Sequence, residues 1–121
     1  MKARSGLGVA LGAAALLGLA GPAAAQGADG AAIVNNRCNV CHSDPTSAPS
    51  LAGVVGRPIA SSAFSGYSDA LKARAKDVWS EGNLDAFLTD SQAFASGSWM
   101  DFKEPDPKAR TAVIGYLKTL K

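Results

Sequence analysis

A chain of 121 residues with 12 basic and 10 acidic side chains has room for one domain. Its charge gives no strongly basic field of the kind that binds nucleic acid or an acidic membrane surface. Its two cysteines, Cys38 and Cys41, lie so close together that a disulfide between them would constrain the unfolded chain little, which excludes a disulfide-stapled scaffold.

Lys2 and Arg4 precede an apolar run of Leu, Val, Ala and Gly over residues 7–19, broken by Gly21-Pro22 and followed by Ala23-Ala24-Ala25. A positive start, a short apolar core and small residues in that order form an export leader. Residues 1–25 are therefore expected to be a signal peptide cleaved after Ala25, the apolar core being short for an uncleaved membrane anchor. Residues 26–121 are expected to form a single periplasmic domain whose charges balance once Lys2 and Arg4 are gone. A domain of that size buries only about 60–65% of its unfolded surface. It needs a staple, and a large apolar cofactor would supply the missing core.

Along the mature chain, Asp29 can cap a helix through about Val40, with Gly30, Val34, Arg37-Cys38 and Cys41 along one side. Residues 43–68, with Pro45, Pro49, Pro58, Gly53, Gly56 and Gly66, read as a long loop that wraps a ligand or lines a site. Ser68 can cap a short helix through Lys76. Asn83 is expected to cap another, with Leu84, Phe87 and Leu88 inward and Asp85 near its positive end. Residues 95–102 form a second loop. Asp106-Pro107 opens a last helix, cap followed by proline, with a stripe of Val113, Tyr116, Leu117 and Leu120 and with Lys118 and Lys121 at its end. No strand pattern of useful length appears, so the expected fold is all-α.

Cys38-Asn39-Val40-Cys41-His42 has the spacing for covalent haem attachment, two thiols adding to the vinyl groups and the adjacent imidazole reaching the iron. A thioredoxin-like redox pair would need a surrounding sheet, a zinc site would need a second ligand pair, and a plain disulfide would leave His42 unexplained. After leader removal Met100 is the only methionine. It is either core filler or, from its place in an irregular loop before the last helix, the second axial ligand, a thioether that favours the ferrous state.

With these residues in place, the sequence resembles the class I cytochromes c, mitochondrial cytochrome c and its small soluble bacterial counterparts. The likeness runs from Gly30 to Leu120 through Pro49-x-Leu51, Gly56-Arg57, Tyr67, Trp79, Gly97-x-x-Met100 and Tyr116. It implies three to five short helices and long loops wrapped around one haem c, with the first and last helices crossing where Gly30 meets Gly115-Tyr116. It implies that the Pro49 carbonyl accepts the second ring N–H of His42, and that Arg57, Tyr67 and Trp79 surround a buried propionate. Phe87 stands where mitochondrial relatives commonly have tyrosine behind the methionine, and Leu71 where they have asparagine, which implies a drier pocket with altered redox tuning. The loop between His42 and Pro49 is also shorter than in mitochondrial forms.

Trp99, where relatives often carry lysine, reads first as buried packing and otherwise as an exposed contact for a redox partner. Lys72, Lys76, Lys103 and Lys108, interspersed with Asp101, Glu104 and Asp106, read as a mixed-sign solvated surface. The expected function is one-electron transfer between donor and acceptor redox complexes, by a monomer that docks transiently on membrane-bound partners and is not an enzyme. An enzyme or gas sensor with Met100 off the iron is the rival reading, and a thiol–disulfide protein without haem is the third.

Overall fold

The computed structural model describes residues 29–121, together with Gly8 and Gly12. Apart from those two glycines, the expected leader lies outside the described residues.

The Asp29 carboxylate accepts the Ala32 amide at 3.3 Å and starts the first helical rod. α1 (Gly30–Ile33) widens into a π-helical turn (Val34–Cys38) and resumes as α2 (Asn39–His42). The rod thus runs two residues beyond the expected end and carries the whole Cys-x-x-Cys-His segment on its last turns. Gly30, Val34 and Cys38 are buried, whereas Arg37 and Cys41, expected on the same side, are exposed. Spacing by four puts the first three on one line and leaves the other two off it.

At the other end of the chain, Asp106 caps α6 (Pro107–Leu117) by accepting the Lys108 amide at 3.0 Å, with Pro107 in the first turn. Val113 and Leu117 are buried as expected, joined by Ile114 and Ala109, while Tyr116 and Leu120 are only partly buried against the core. The first and last helices cross at Gly30. A Cβ there would lie 2.0 Å from the Ala112 carbonyl oxygen and 3.0 Å from the Tyr116 Cβ, so only a hydrogen fits. The crossing therefore falls on Ala112 and Tyr116; a Cβ added at Gly115 would meet nothing within 4 Å.

Ser68 caps α3 (Asp69–Lys72) through the Leu71 amide, and turns follow where the helix was expected to reach Lys76. α4 (Glu81–Thr89) starts at Ser80, not at Asn83: Ser80 Oγ accepts the Asn83 amide at 3.1 Å, and the Asn83 side chain donates back to the Val78 carbonyl at 2.8 Å. Leu84, Phe87 and Leu88 face inward, and Asp85 pairs with Arg110 of α6 at 2.8 Å. A further helix, α5 (Ser91–Phe94), capped by Asp90, is too short to leave a periodic pattern in the sequence.

The long loop over 43–68 is stapled rather than helical. Gly56 N–H donates to the Trp79 carbonyl and Trp79 N–H to the Arg57 carbonyl, both at 2.8 Å, and Ile59 N–H to Asp77 at 2.9 Å. The Pro58–Val78 bridge within this ladder is isolated, and no strand is present among the described residues. The core joins Val34, Ile59, Trp79, Leu84, Phe87, Leu88, Val113, Ile114 and Leu117. The expected all-α architecture stands. No helix of the described residues is long and apolar enough to cross a membrane.

Gly30→Ala is expected to lower the unfolding free energy by on the order of 3 kcal/mol through overpacking at the crossing. Gly115→Ala, on the open side of α6, is expected to raise it by up to about 1 kcal/mol through helix propensity. Denaturant midpoints of the two variants check the contrast.

Candidate functional site

A cavity of about 440 Å³ opens inside this core, within the range of small-molecule and cofactor pockets. Its apolar wall includes Leu51, Val54, Leu71, Leu84, Phe87, Leu88, Val113 and Leu117. Cys38, Cys41, His42, Pro49, Arg57, Tyr67, Trp79 and Met100 all reach the same cavity. Residues from six separate stretches of chain thus converge on one space.

The helical rod delivers the thiols and the imidazole. Cys38 is buried, Cys41 is exposed, and both are free; burial pushes the Cys38 thiol up, against a smaller opposing pull from the Arg37 charge. His42 ends α2 with Nδ1 2.7 Å from the Pro49 carbonyl oxygen. A carbonyl only accepts, so Nδ1 carries the proton, and Nε2 is the ring nitrogen left to offer a lone pair in the neutral tautomer. The turn that brings Pro49 into reach is closed by Asp44, whose carboxylate accepts from Thr46 Oγ1 at 2.7 Å, Thr46 N at 2.9 Å and Ser47 Oγ at 2.9 Å. These bonds, the Thr46 hydroxyl first, hold the Asp44 carboxyl below its ordinary range. The turn is accordingly supported at neutral pH and loosens as pH falls through that lowered value.

On the opposite side of the sequence motif, Arg57 donates to the carbonyls of Ala52 and Ser50, each at 3.2 Å. Its Nε is buried with no partner. An orphaned donor on a cation beside an apolar cavity calls for an anionic acceptor. The Tyr67 hydroxyl bonds to Ser62 Oγ and accepts the Ser62 amide at 3.3 Å. Trp79 is buried and packs with Phe87 and Phe94 at centroid distances of 5.0 and 5.7 Å. It serves the core and the cavity wall together.

Met100 is supplied by the loop over 95–102, which turns at Gly97 with φ 95°. Its carbonyl accepts from Ser91 Oγ at 2.6 Å and from Gln92 Nε2 at 3.1 Å. Neither Ser91 nor Gln92 stands out in the sequence; the one signal is the polar Asp90-Ser91-Gln92 run directly after an inward-facing apolar turn. Beyond the loop, Arg37 stacks over the Phe102 ring at 4.5 Å and pairs with Glu104 at 2.5 Å. Trp99 lines the cavity rim yet is 80% exposed, which corrects the expectation of buried packing. Lys103 pairs with Asp90 at 3.7 Å. Among the described residues no group of three or more His, Cys, Asp or Glu gathers, so a zinc site lacks donors.

No protein-family model matches the chain. Cytochrome c of Tetrahymena pyriformis is 35% identical over 92 residues, covering 73% of this chain and 83% of that protein. Cytochrome c2 of Rhodopila globiformis is 33% identical over 98 residues, covering 77% and 92%. The chain belongs to the class I c-type cytochromes. Cytochrome cH from Methylobacterium extorquens superposes with a TM-score of 0.65 at 33% identity, over 82% of this chain and 99% of that one.

As a class I c-type cytochrome the protein is an electron carrier built on one covalent haem c, in agreement with the cofactor expected from the sequence. The cavity fits that group: two free thiols, an imidazole with its outer nitrogen engaged, a thioether, an apolar wall and an unpartnered buried guanidinium nitrogen all meet there.

Chain produced without haem is expected to lose most of its helical circular dichroism and to melt without a cooperative transition, because the cavity would stand open in the middle of the core. A haem-free chain melting as sharply as the holoprotein would show that the walls close on themselves.

Proposed function

We propose that this protein is an exported one-electron carrier that holds its haem through thioether bonds at Cys38 and Cys41, with His42 Nε2 and Met100 Sδ as axial ligands. The observation that carries the reading is the convergence of those four side chains on one apolar cavity, with His42 Nδ1 already engaged by Pro49. When bound, haem supplies a reversible one-electron couple at its iron.

The chain's own residues do the rest. The Pro49 carbonyl fixes the His42 tautomer and ring plane and raises the basicity of the nitrogen left for the metal. Met100 supplies a soft neutral donor that favours the reduced state. Arg57 and Tyr67 offer hydrogen-bond donors to a propionate in a site where an unpaired carboxylate would be costly. Leu84, Phe87 and Val113 exclude water from the wall. If His42 and Met100 both held the iron, they would leave it no open position for a substrate, which favours a carrier over an enzyme.

Residues 1–25 would direct export and be removed after Ala25, placing the mature monomer in the periplasm between a donor and an acceptor complex. Trp99, exposed at the rim of the cavity, would be a contact in those transient encounters.

The oxidised holoprotein is expected to show the weak near-infrared band of a sulfur–iron bond, and its reduced form to bind carbon monoxide poorly. Met100→Ala should abolish the band and bind carbon monoxide readily. A wild-type protein with c-type haem but no such band would move the sensor or enzyme reading ahead. For the docking contact, Trp99→Ala should raise the Kd for a purified partner about tenfold or more, the scale of an interface hot spot, with the haem spectrum intact. Unchanged affinity would remove Trp99 from the contact.

A further inference from the structure

The loop carrying Met100 has no regular structure, yet the backbone on both sides of that residue ends on two adjacent side chains. Ser91 is fully buried. Its Oγ donates to the Met100 carbonyl at 2.6 Å and accepts the Phe102 amide at 2.8 Å, while its own amide donates to the Phe102 carbonyl at 3.0 Å. Gln92 takes the other half of the loop. Its Nε2 donates to the carbonyls of Ser98 at 2.8 Å and Met100 at 3.1 Å, and its Oε1 accepts the Gly97 amide at 3.1 Å. A hydroxyl that donates and accepts at once, beside an amide that does the same, closes the loop onto the first turn of α5.

We infer that Ser91 and Gln92 are positioning residues for Met100, setting how much of the time its thioether stays on the iron; this rests on the ligation proposed above. A neutral thioether is a weak ligand, and it competes with any small molecule that reaches the metal. How well it competes depends on the cost of swinging the loop away, and that swing must break the bonds to Ser91 and Gln92. Removing the Ser91 hydroxyl also leaves the part-buried Phe102 amide without its acceptor, which favours rearrangement toward water. The Arg37–Glu104 pair beyond the loop is a weaker candidate for this task, because Arg37 is exposed and such a pair is screened by solvent. The effect is largest in the oxidised protein, where soft sulfur is held less firmly than by ferrous iron.

The test uses oxidised holoprotein: wild type, Ser91→Ala, Gln92→Ala, and Ser80→Ala as a control that removes the cap of α4 away from the loop. Each is examined for the sulfur–iron band and titrated with imidazole. Because apparent affinity scales with the population of the open loop, both loop variants should bind imidazole about tenfold more tightly and show a weakened band. Ser80→Ala should lose stability with the band and the imidazole affinity unchanged. If Ser91→Ala fails to accumulate, Gln92→Ala decides alone, since its side chain is only half-buried. Loop variants that match Ser80→Ala, less stable but unchanged in band and affinity, overturn the positioning role while leaving Met100 as ligand. A wild-type protein without the band overturns the ligation, and this inference with it.

Discussion

A hole of about 440 Å³ in the middle of a small core is the constraint on which the rest of this structure depends. Left empty, a cavity of that size would cost on the order of 10 kcal/mol at the usual rate per unit volume, comparable with the whole stability of an ordinary domain. Leu84, Phe87, Leu88, Val113 and Leu117, the inner faces of α4 and α6, line it while packing into the surrounding core. The helices are therefore walls for a guest, and haem is as much part of the core as any side chain. This explains how a chain with so few regular residues and no disulfide forms a defined fold.

Two devices keep the walls in place. One is the crossing at Gly30, where the first helix comes so near α6 that the Ala112 carbonyl occupies the space of a missing Cβ. That contact joins the two ends of the domain. The other is backbone pairing of loop to loop: residues 56–59 to 77–79 on one side, and residues 97–102 to Ser91 and Gln92 on the other. Irregular chain inside a compact domain must satisfy its amides and carbonyls somewhere. Here it does so with neighbouring loops and short polar side chains, which fixes the loops without long helices.

How much of this was legible in the sequence follows from how local each constraint is. Cys38, Cys41 and His42 announce themselves because their chemistry depends on their spacing along the chain. The caps at Asp29, Ser68 and Asp106 are equally local, and each accepts the expected amide. The sequence points to Asn83 for the start of α4 because asparagine is also a good cap residue; Ser80, three residues earlier, holds that place, and Asn83 bonds back to Val78. The four-residue α5 and the π-turn over Val34–Cys38 leave no periodicity to detect. Pro49, Arg57, Tyr67 and Trp79 entered through family likeness, since nothing in their immediate neighbours says that they meet. Ser91 and Gln92 were missed altogether, because what they hold is backbone several residues further on, which a residue pattern does not encode. The exposure of Trp99 is illegible for a related reason: an indole in a loop beside a buried residue gives no local sign of which way it faces.

The rim of the cavity shows how these constraints bear on partner choice. Two cations beside the Met100 loop are paired within the molecule, Arg37 with Glu104 at 2.5 Å and Lys103 with Asp90 at 3.7 Å. Arg37 is also committed to the Phe102 ring and the Lys103 carbonyl. Part of the positive charge beside the Met100 loop is thus engaged within the molecule. Exposed apolar side chains also stand in the Cys-x-x-Cys-His segment and in that loop, Val40 at 71% and Trp99 at 80%. A field of paired charges falls off quickly and is screened at physiological ionic strength. If Trp99 is the docking contact proposed above, partner selection would draw on short-range fit around the indole. The Arg37 and Lys103 pairs are themselves exposed and screened, so a substitution that frees either cation for steering should leave the Met100 loop on its bonds to Ser91 and Gln92.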